Sequence, residues 1–81
     1  MSTISIEYCR KWNYTPRAVS LMSEIMWDKD LEFKITSLEI IPSSGGVFEI
    51  MVDGELIFSK KALKRHAEPH EVYNLIKTKL K

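Results

Sequence analysis

The sequence predicts an α/β (α+β) domain, a two-layer β-α-β-β-β-α chain around a mixed four-stranded sheet. Three observations predict it. Ile4, Ile6 and Tyr8 alternate with Thr3, Ser5 and Glu7, and apolar residues at helical spacing follow. A second alternating run, Leu31, Phe33 and Ile35, comes after that helix. Asp53-Gly54 then separates two short β-favouring runs, the strongest hairpin signal in the chain. A strand-helix-strand unit makes a right-handed parallel crossover, while a hairpin adds antiparallel strands, so the sheet is mixed.

The first strand covers residues 3 to 8 by its period of two. A polar stretch, Cys9 to Tyr14, leads out of it. Thr15 is placed to cap a helix whose first turn holds Pro16, where the missing N–H is not needed. Ala18, Leu21, Met22, Ile25 and Met26 form one helical face that ends near Asp28. Asp28-Lys29-Asp30 reads as a loop. The second strand starts at Leu31 and extends to Ile41, with alternation slipping near Ser37 as at a bulge. Pro42 to Gly46 breaks it. Residues 47 to 52 and 55 to 59 are the hairpin strands. Residues 60 to 68 read as a basic loop, and Pro69 opens a last helix whose apolar face is Val72, Leu75, Ile76 and Leu80. Lys77, Lys79 and Lys81 suit the negative end of its dipole.

The 81 residues make one domain, 1 to 81, large enough to bury roughly 60% of the unfolded chain's surface in one core. With 44% apolar residues the chain is too hydrophobic for disorder. A formal charge of +1, from 12 basic and 11 acidic residues, argues against nucleic acid as a partner. One cysteine excludes an internal disulfide framework. No apolar run reaches the roughly 18 residues that would suggest a membrane span. The first residues lack the basic and apolar segments of a signal peptide, so the expected location is cytoplasmic.

The run Ile6-Glu7-Tyr8-Cys9-x-x-Trp12-Asn13-Tyr14 resembles the start of the selenoprotein W-like family, the SelT/SelW/SelH group. So do Gly45-Gly46-Val47-Phe48-Glu49-Ile50 and the block from Asp53 to Lys61, in the same order and at the same spacing. The resemblance implies a thioredoxin-like fold with a redox loop after the first strand. It also implies thiol oxidoreductase chemistry through a Cys-x-x-Cys or Cys-x-x-selenocysteine pair. The first position of that pair maps onto Cys9. The second maps onto Trp12, which is neither.

Disulfide exchange needs one thiolate to attack and a second thiol to resolve the product. Cys9 supplies the first, and nothing in this chain supplies the second. Arg10, Lys11 and Arg17 lie close in sequence, and nearby positive charge favours thiolate. A buried, inert strand-end cysteine is the competing reading. Trp12 and Tyr14, with Asn13 between them, form the expected contact surface. The function expected is thiol redox work by one cysteine, through a mixed disulfide with glutathione or a client thiol protein. No cofactor is required, glutathione serves as co-substrate, and the chain is a monomer or weak homodimer. The alternative is a non-catalytic interaction module that binds a partner through the Trp12 loop with Phe58, or through the basic loop. Lys60, Lys61, Lys64, Arg65 and His66 form that loop's basic run, more often a solvated surface than an anion site. His66 and His70 are four apart with Pro69 between them and no third ligand, so no metal site is expected.

Overall fold

The computed structural model of the chain describes residues 2–81. The elements are β1 (Ser2–Cys9), α1 (Tyr14–Trp27), α2 (Lys29–Lys34), β2 (Ile35–Ser43), β3 (Phe48–Val52), β4 (Glu55–Ser59), α3 (Lys60–Leu63) and α4 (Glu71–Lys79). The strands form one mixed sheet in the order β2-β1-β3-β4. β1 runs parallel to β2 and antiparallel to β3, and β3 is antiparallel to β4. The expected mixed four-stranded sheet is therefore present, with two short helices added.

The alternation in β1 sets the layers. Ile4, Ile6 and Tyr8 point to one face and are buried there with Phe48, Ile50 and Val52 of β3. Ala18, Leu21 and Ile25 of α1 and Val72 and Ile76 of α4 cover that face and complete the core. Leu38 and Ile40 of β2 pack against its edge. Asp53 and Gly54 join β3 to β4 with φ of 52° and 82°, the positive values a two-residue type I′ turn requires. The Asp53 carboxylate accepts the Thr3 N–H at 2.9 Å, which ties the turn to β1.

Five expectations change. Residues 29 to 34 are helical, where 28–30 were expected as a loop and 31–34 as strand. Asp28 accepts the N–H groups of Asp30 and Leu31 at 3.0 and 3.2 Å and so caps α2. Leu31 is buried while Phe33 is 76% exposed, so the apparent alternation here is one turn of helix. β2 consequently begins at Ile35, and its register shifts between Ser2 and Thr3, which face Ile35 and Ser37. The bulge expected near Ser37 is that shift.

The second change is that Pro42 and Ser43 lie inside β2 rather than ending it. β2 is an edge strand, where a missing N–H is tolerated. Third, α1 starts at Tyr14 behind a left-handed Asn13, so Thr15 is not its cap. Fourth, the basic stretch begins as α3, because Ser59 Oγ accepts the Ala62 N–H at 3.1 Å and starts a turn. Fifth, in α4, which starts at Glu71 behind His70, Tyr73 is half-buried where Leu75 was expected, and Leu75 is exposed.

Asp28 joins three helices. Its N–H closes α1 on the Ile25 carbonyl, and its carboxylate caps α2. The same carboxylate accepts the Tyr73 hydroxyl and pairs with Lys77 at 3.2 Å, both on α4. The Tyr73 hydroxyl, then the Leu31 amide and Lys77, hold its pKa at about 2. Glu71 is held at about 2 chiefly by a two-pronged pair with Arg65, both contacts 2.8 Å. Replacing Asp28 by Ala should lower Tm by at least about 4–8 °C, the shift expected for losing one helix cap in a domain of this size. Both carboxylates have folded pKa values below their ordinary ones. Their contribution is fully present above about pH 4.5 and is lost as pH falls toward about 2. Urea midpoints should fall across that window, and less steeply in Asp28→Asn; a flat profile would refute the assignment.

Candidate functional site

β1 delivers Cys9 to the end of the sheet and is held there on both sides. The Cys9 N–H donates to the Val47 carbonyl at 2.8 Å, and the Arg10 N–H donates to the Ser43 carbonyl at 3.1 Å. The chain then turns through Trp12 and Asn13, with φ of 58° and 62°. Asn visits this left-handed region readily, but a bulky residue there is a strained exception. Tyr14 then enters α1 and is buried, its ring edge-on to His66 with centroids 5.1 Å apart. The Lys60 ammonium lies 5.5 Å from the same ring.

Opposite the loop stand Gly45 and Gly46, with φ of 82° and 70°. A Cβ on Gly46 would lie 3.9 Å from both the Trp12 ring and the Tyr14 hydroxyl. Space is ordinary there, so it is the backbone conformation that asks for glycine.

Cys9 is a free thiol, 1% exposed. Its pKa is nonetheless lowered. The Lys11 backbone N–H contributes most, burial opposes it, the Gly46 N–H assists, and the charges of Lys11 and Arg10 add least. Hydrogen bonds to the charged form favour that form, and here they outweigh desolvation.

The predicted residues divide. Cys9, Arg10, Lys11, Trp12 and Asn13 stand together in one loop. Trp12 is 72% exposed and accessible to solvent, whereas Tyr14 is buried in the core. Arg17 is not among the charges acting on Cys9; it acts on His66, whose pKa is lowered first by burial, then by Arg17 and Lys60. Phe58 is buried edge-on against Phe48 at 6.3 Å, so it offers a partner nothing. Of the basic run, Lys61 reaches the Gly45 side of the loop, while Arg65 turns away to Glu71. Sequence reasoning missed Gly46 and the Lys11 amide. The Gly-Gly pair was visible, but only strand pairing brings it beside Cys9.

Among the described residues no cluster of three His, Cys, Asp or Glu is arranged to hold a metal. None of their helices is long and apolar enough to cross a membrane.

The Rdx family model matches residues 3–78. The chain belongs to the Rdx family. A crystal structure of a selenoprotein W-related protein from Vibrio cholerae is similar at 25% identity and a TM-score of 0.83, over 99% of this chain and 98% of that one. A Bordetella parapertussis protein shares the fold at 19% identity and a TM-score of 0.81, over 95% of each chain. No curated protein matches the sequence. Rdx chains are selenoprotein W-related and redox-associated, which agrees with the resemblance carried by the Cys9 and Gly46 blocks.

In this Rdx chain the backbone, more than side-chain charge, lowers the Cys9 pKa. Lys11→Gln should therefore leave most of the lowering in place, as read by ultraviolet thiolate absorbance against pH. A return to the ordinary thiol value of about 8.5 would show that charge dominates. Gly46→Ala should destabilise by about 1–2 kcal/mol, the cost of a left-handed non-glycine residue, measured by urea unfolding.

Proposed function

We propose that the chain is a thiol-based redox protein that works through Cys9 alone. The observation that carries this reading is a lone thiol whose pKa is lowered by two backbone N–H donors at the end of β1. Membership of a redox-associated family supports it.

The Cys9 thiolate attacks one sulfur of glutathione disulfide or of an oxidised client. A new S–S bond forms to Cys9, the old one breaks, and the departing thiolate takes a proton from water. Trp12 stands where a second thiol would resolve the product, so resolution falls to an outside thiol. Where the partner is glutathione, a second glutathione attacks the mixed disulfide, frees Cys9 and carries away the oxidised pair. Where the partner is a client, glutathione attacks the Cys9–client disulfide: either Cys9 leaves as thiolate and the client is left glutathionylated, or the client leaves as thiolate and a further glutathione then frees Cys9 and departs as glutathione disulfide. Arg10 and Lys11 flank the thiol and complement the carboxylates of glutathione. The expected compartment is a reducing one, the cytoplasm, where glutathione is abundant. Because Cys9 is 1% exposed, attack requires the loop carrying Trp12 to open.

The test is reaction of the full chain with glutathione disulfide across pH, followed by intact mass spectrometry. One glutathione adduct should form on Cys9, reverse with dithiothreitol and be absent from Cys9→Ser. The rate should rise with pH and level off below the ordinary thiol value of about 8.5. Absence of the adduct, or an inflection at or above that value, would overturn the reading. The exposed Trp12 three residues from a buried Cys9 would then favour a non-catalytic interaction module.

A further inference from the structure

Three segments meet at the Cys9 end of the sheet: residues 8–14, 42–47 and 60–66. The Arg10 N–H reaches the Ser43 carbonyl and the Cys9 N–H reaches Val47. Lys60 and His66 lie against Tyr14. Lys61 Nζ lies 4.0 Å from the place a Gly45 Cβ would occupy. None of the three segments contains Asp or Glu, although the chain as a whole carries 11 acids against 12 bases. Glu7 and Glu49, the acids next along the chain, face each other within the sheet, and Glu49 accepts the Ser59 hydroxyl at 2.6 Å. Neither acts on the thiol, where the only charges felt are those of Lys11 and Arg10.

Three cations at this end are free. Arg10, Lys11 and Lys61 are exposed, and among the described residues none of them forms an ion pair. Arg10 Nε donates to the Ser43 carbonyl at 3.4 Å, which holds the guanidinium at the rim. Lys61 arrives from the other side of the loop. The Ser59 cap turns the chain into α3, Lys60 goes to the Tyr14 ring, and Lys61 is left to reach Gly45, which has no side chain to stand in its way. Gly46, the next residue, is the one whose amide meets the Cys9 sulfur. Lys61 is absent from the groups that lower the thiol's pKa, so its charge is not spent on activating Cys9.

We propose that the Cys9 site selects disulfides that carry carboxylates near the sulfur, and that Lys61 is a specificity-determining residue which reads them together with Arg10 and Lys11. The inference rests on the single-cysteine reading above and names its substrate class. The Cys9 thiolate attacks one sulfur, the S–S bond of the substrate breaks, and the carboxylate-bearing thiolate leaves and takes a proton from water. Unpaired cations raise the local concentration of an anionic substrate, and a cationic one meets repulsion that no neighbouring acid offsets. Glutathione disulfide and a client with Asp or Glu beside its disulfide share this chemistry.

The test compares three small aliphatic disulfides on the full chain: dithiodipropionate (anionic), hydroxyethyl disulfide (neutral) and cystamine (cationic). Adduct formation at Cys9 is timed by intact mass, and each rate is divided by that of N-acetylcysteinamide with the same disulfide. The division cancels differences between leaving thiols. At low salt the normalised rate with dithiodipropionate should exceed that with cystamine at least about tenfold, and the ratio should shrink at least about threefold in about 0.5 M salt. Lys61→Glu should lower the ratio at least about threefold and leave the thiolate titration of Cys9 in place, a split that a merely structural role would not produce. Lys61→Arg should keep the ratio. Glutathione disulfide and a disulfide-linked dimer of an Asp-rich cysteine peptide, normalised alike, should both outpace cystamine, and the faster of the two names the source of the carboxylates. Equal normalised rates for the three small disulfides, with adducts formed, would overturn this inference and leave the Cys9 reading standing. A ratio unchanged in Lys61→Glu would remove Lys61 from it. Adducts with none of the disulfides would overturn the Cys9 reading and this inference with it.

Discussion

Everything in this fold hangs on the two-sided pairing of β1. Ile6 sits between Ile40 of β2 and Ile50 of β3, and Glu7 sits between Ile41 and Glu49. Because side chains alternate, a slip of one residue would turn Ser5 and Glu7 into the core and Ile4 and Ile6 out of it. Burying an isoleucine is worth about 1.5–3 kcal/mol, while an unpaired buried carboxylate is costly, so the register has no near competitor. The same register carries Cys9 to the Val47 carbonyl and brings Gly46 beside the thiol. The candidate site is therefore a by-product of core packing and needs no dedicated scaffold.

The helical layer depends on a different kind of joint. α1 and α2 meet at Asp28, and α4 reaches the same carboxylate through Tyr73 and Lys77. One residue ends one helix through its N–H, and its short side chain starts the next and anchors a third that is 45 residues away in sequence. A carboxylate suits this place because it accepts several hydrogen bonds at once and complements the positive end of α2. The second fastening, Arg65 with Glu71, holds the segment after α3 against the start of α4.

Much of this was legible in the chain. Period-two runs placed β1, β3 and β4, and Asp53-Gly54 placed the turn between them. The errors cluster where local chemistry competes with periodicity. Leu31, Phe33 and Ile35 alternate as a strand would, yet the Asp28 cap claims the first two for a helix. Ser59 does the same for the basic stretch by capping α3. Pro42 reads as a breaker until the strand order shows it on an edge. At the site, Cys9 and Trp12 were found because side-chain identity marks them. The amides of Lys11 and Gly46 were not, because a backbone group leaves no trace in composition. Arg17 looked near Cys9 because the chain is short between them, but α1 carries it toward His66.

That difference between backbone and side chain bears on what the loop retains. The lowering of the Cys9 pKa is led by an amide, and every residue except proline at position 11 would provide one. Position 46 contributes the same kind of donor, held by a conformation that glycine adopts freely. Activation of the first thiol is thus indifferent to which side chain stands at position 12. Resolution of a mixed disulfide is the opposite case, since only a thiol or selenol there performs it within the chain. Putting Trp12 at that position removes resolution and leaves activation untouched. It also places a large apolar ring, 72% exposed, three residues from a covered sulfur. On the single-cysteine reading proposed above, any disulfide made at Cys9 must then be opened by the partner that made it or by a thiol that follows it.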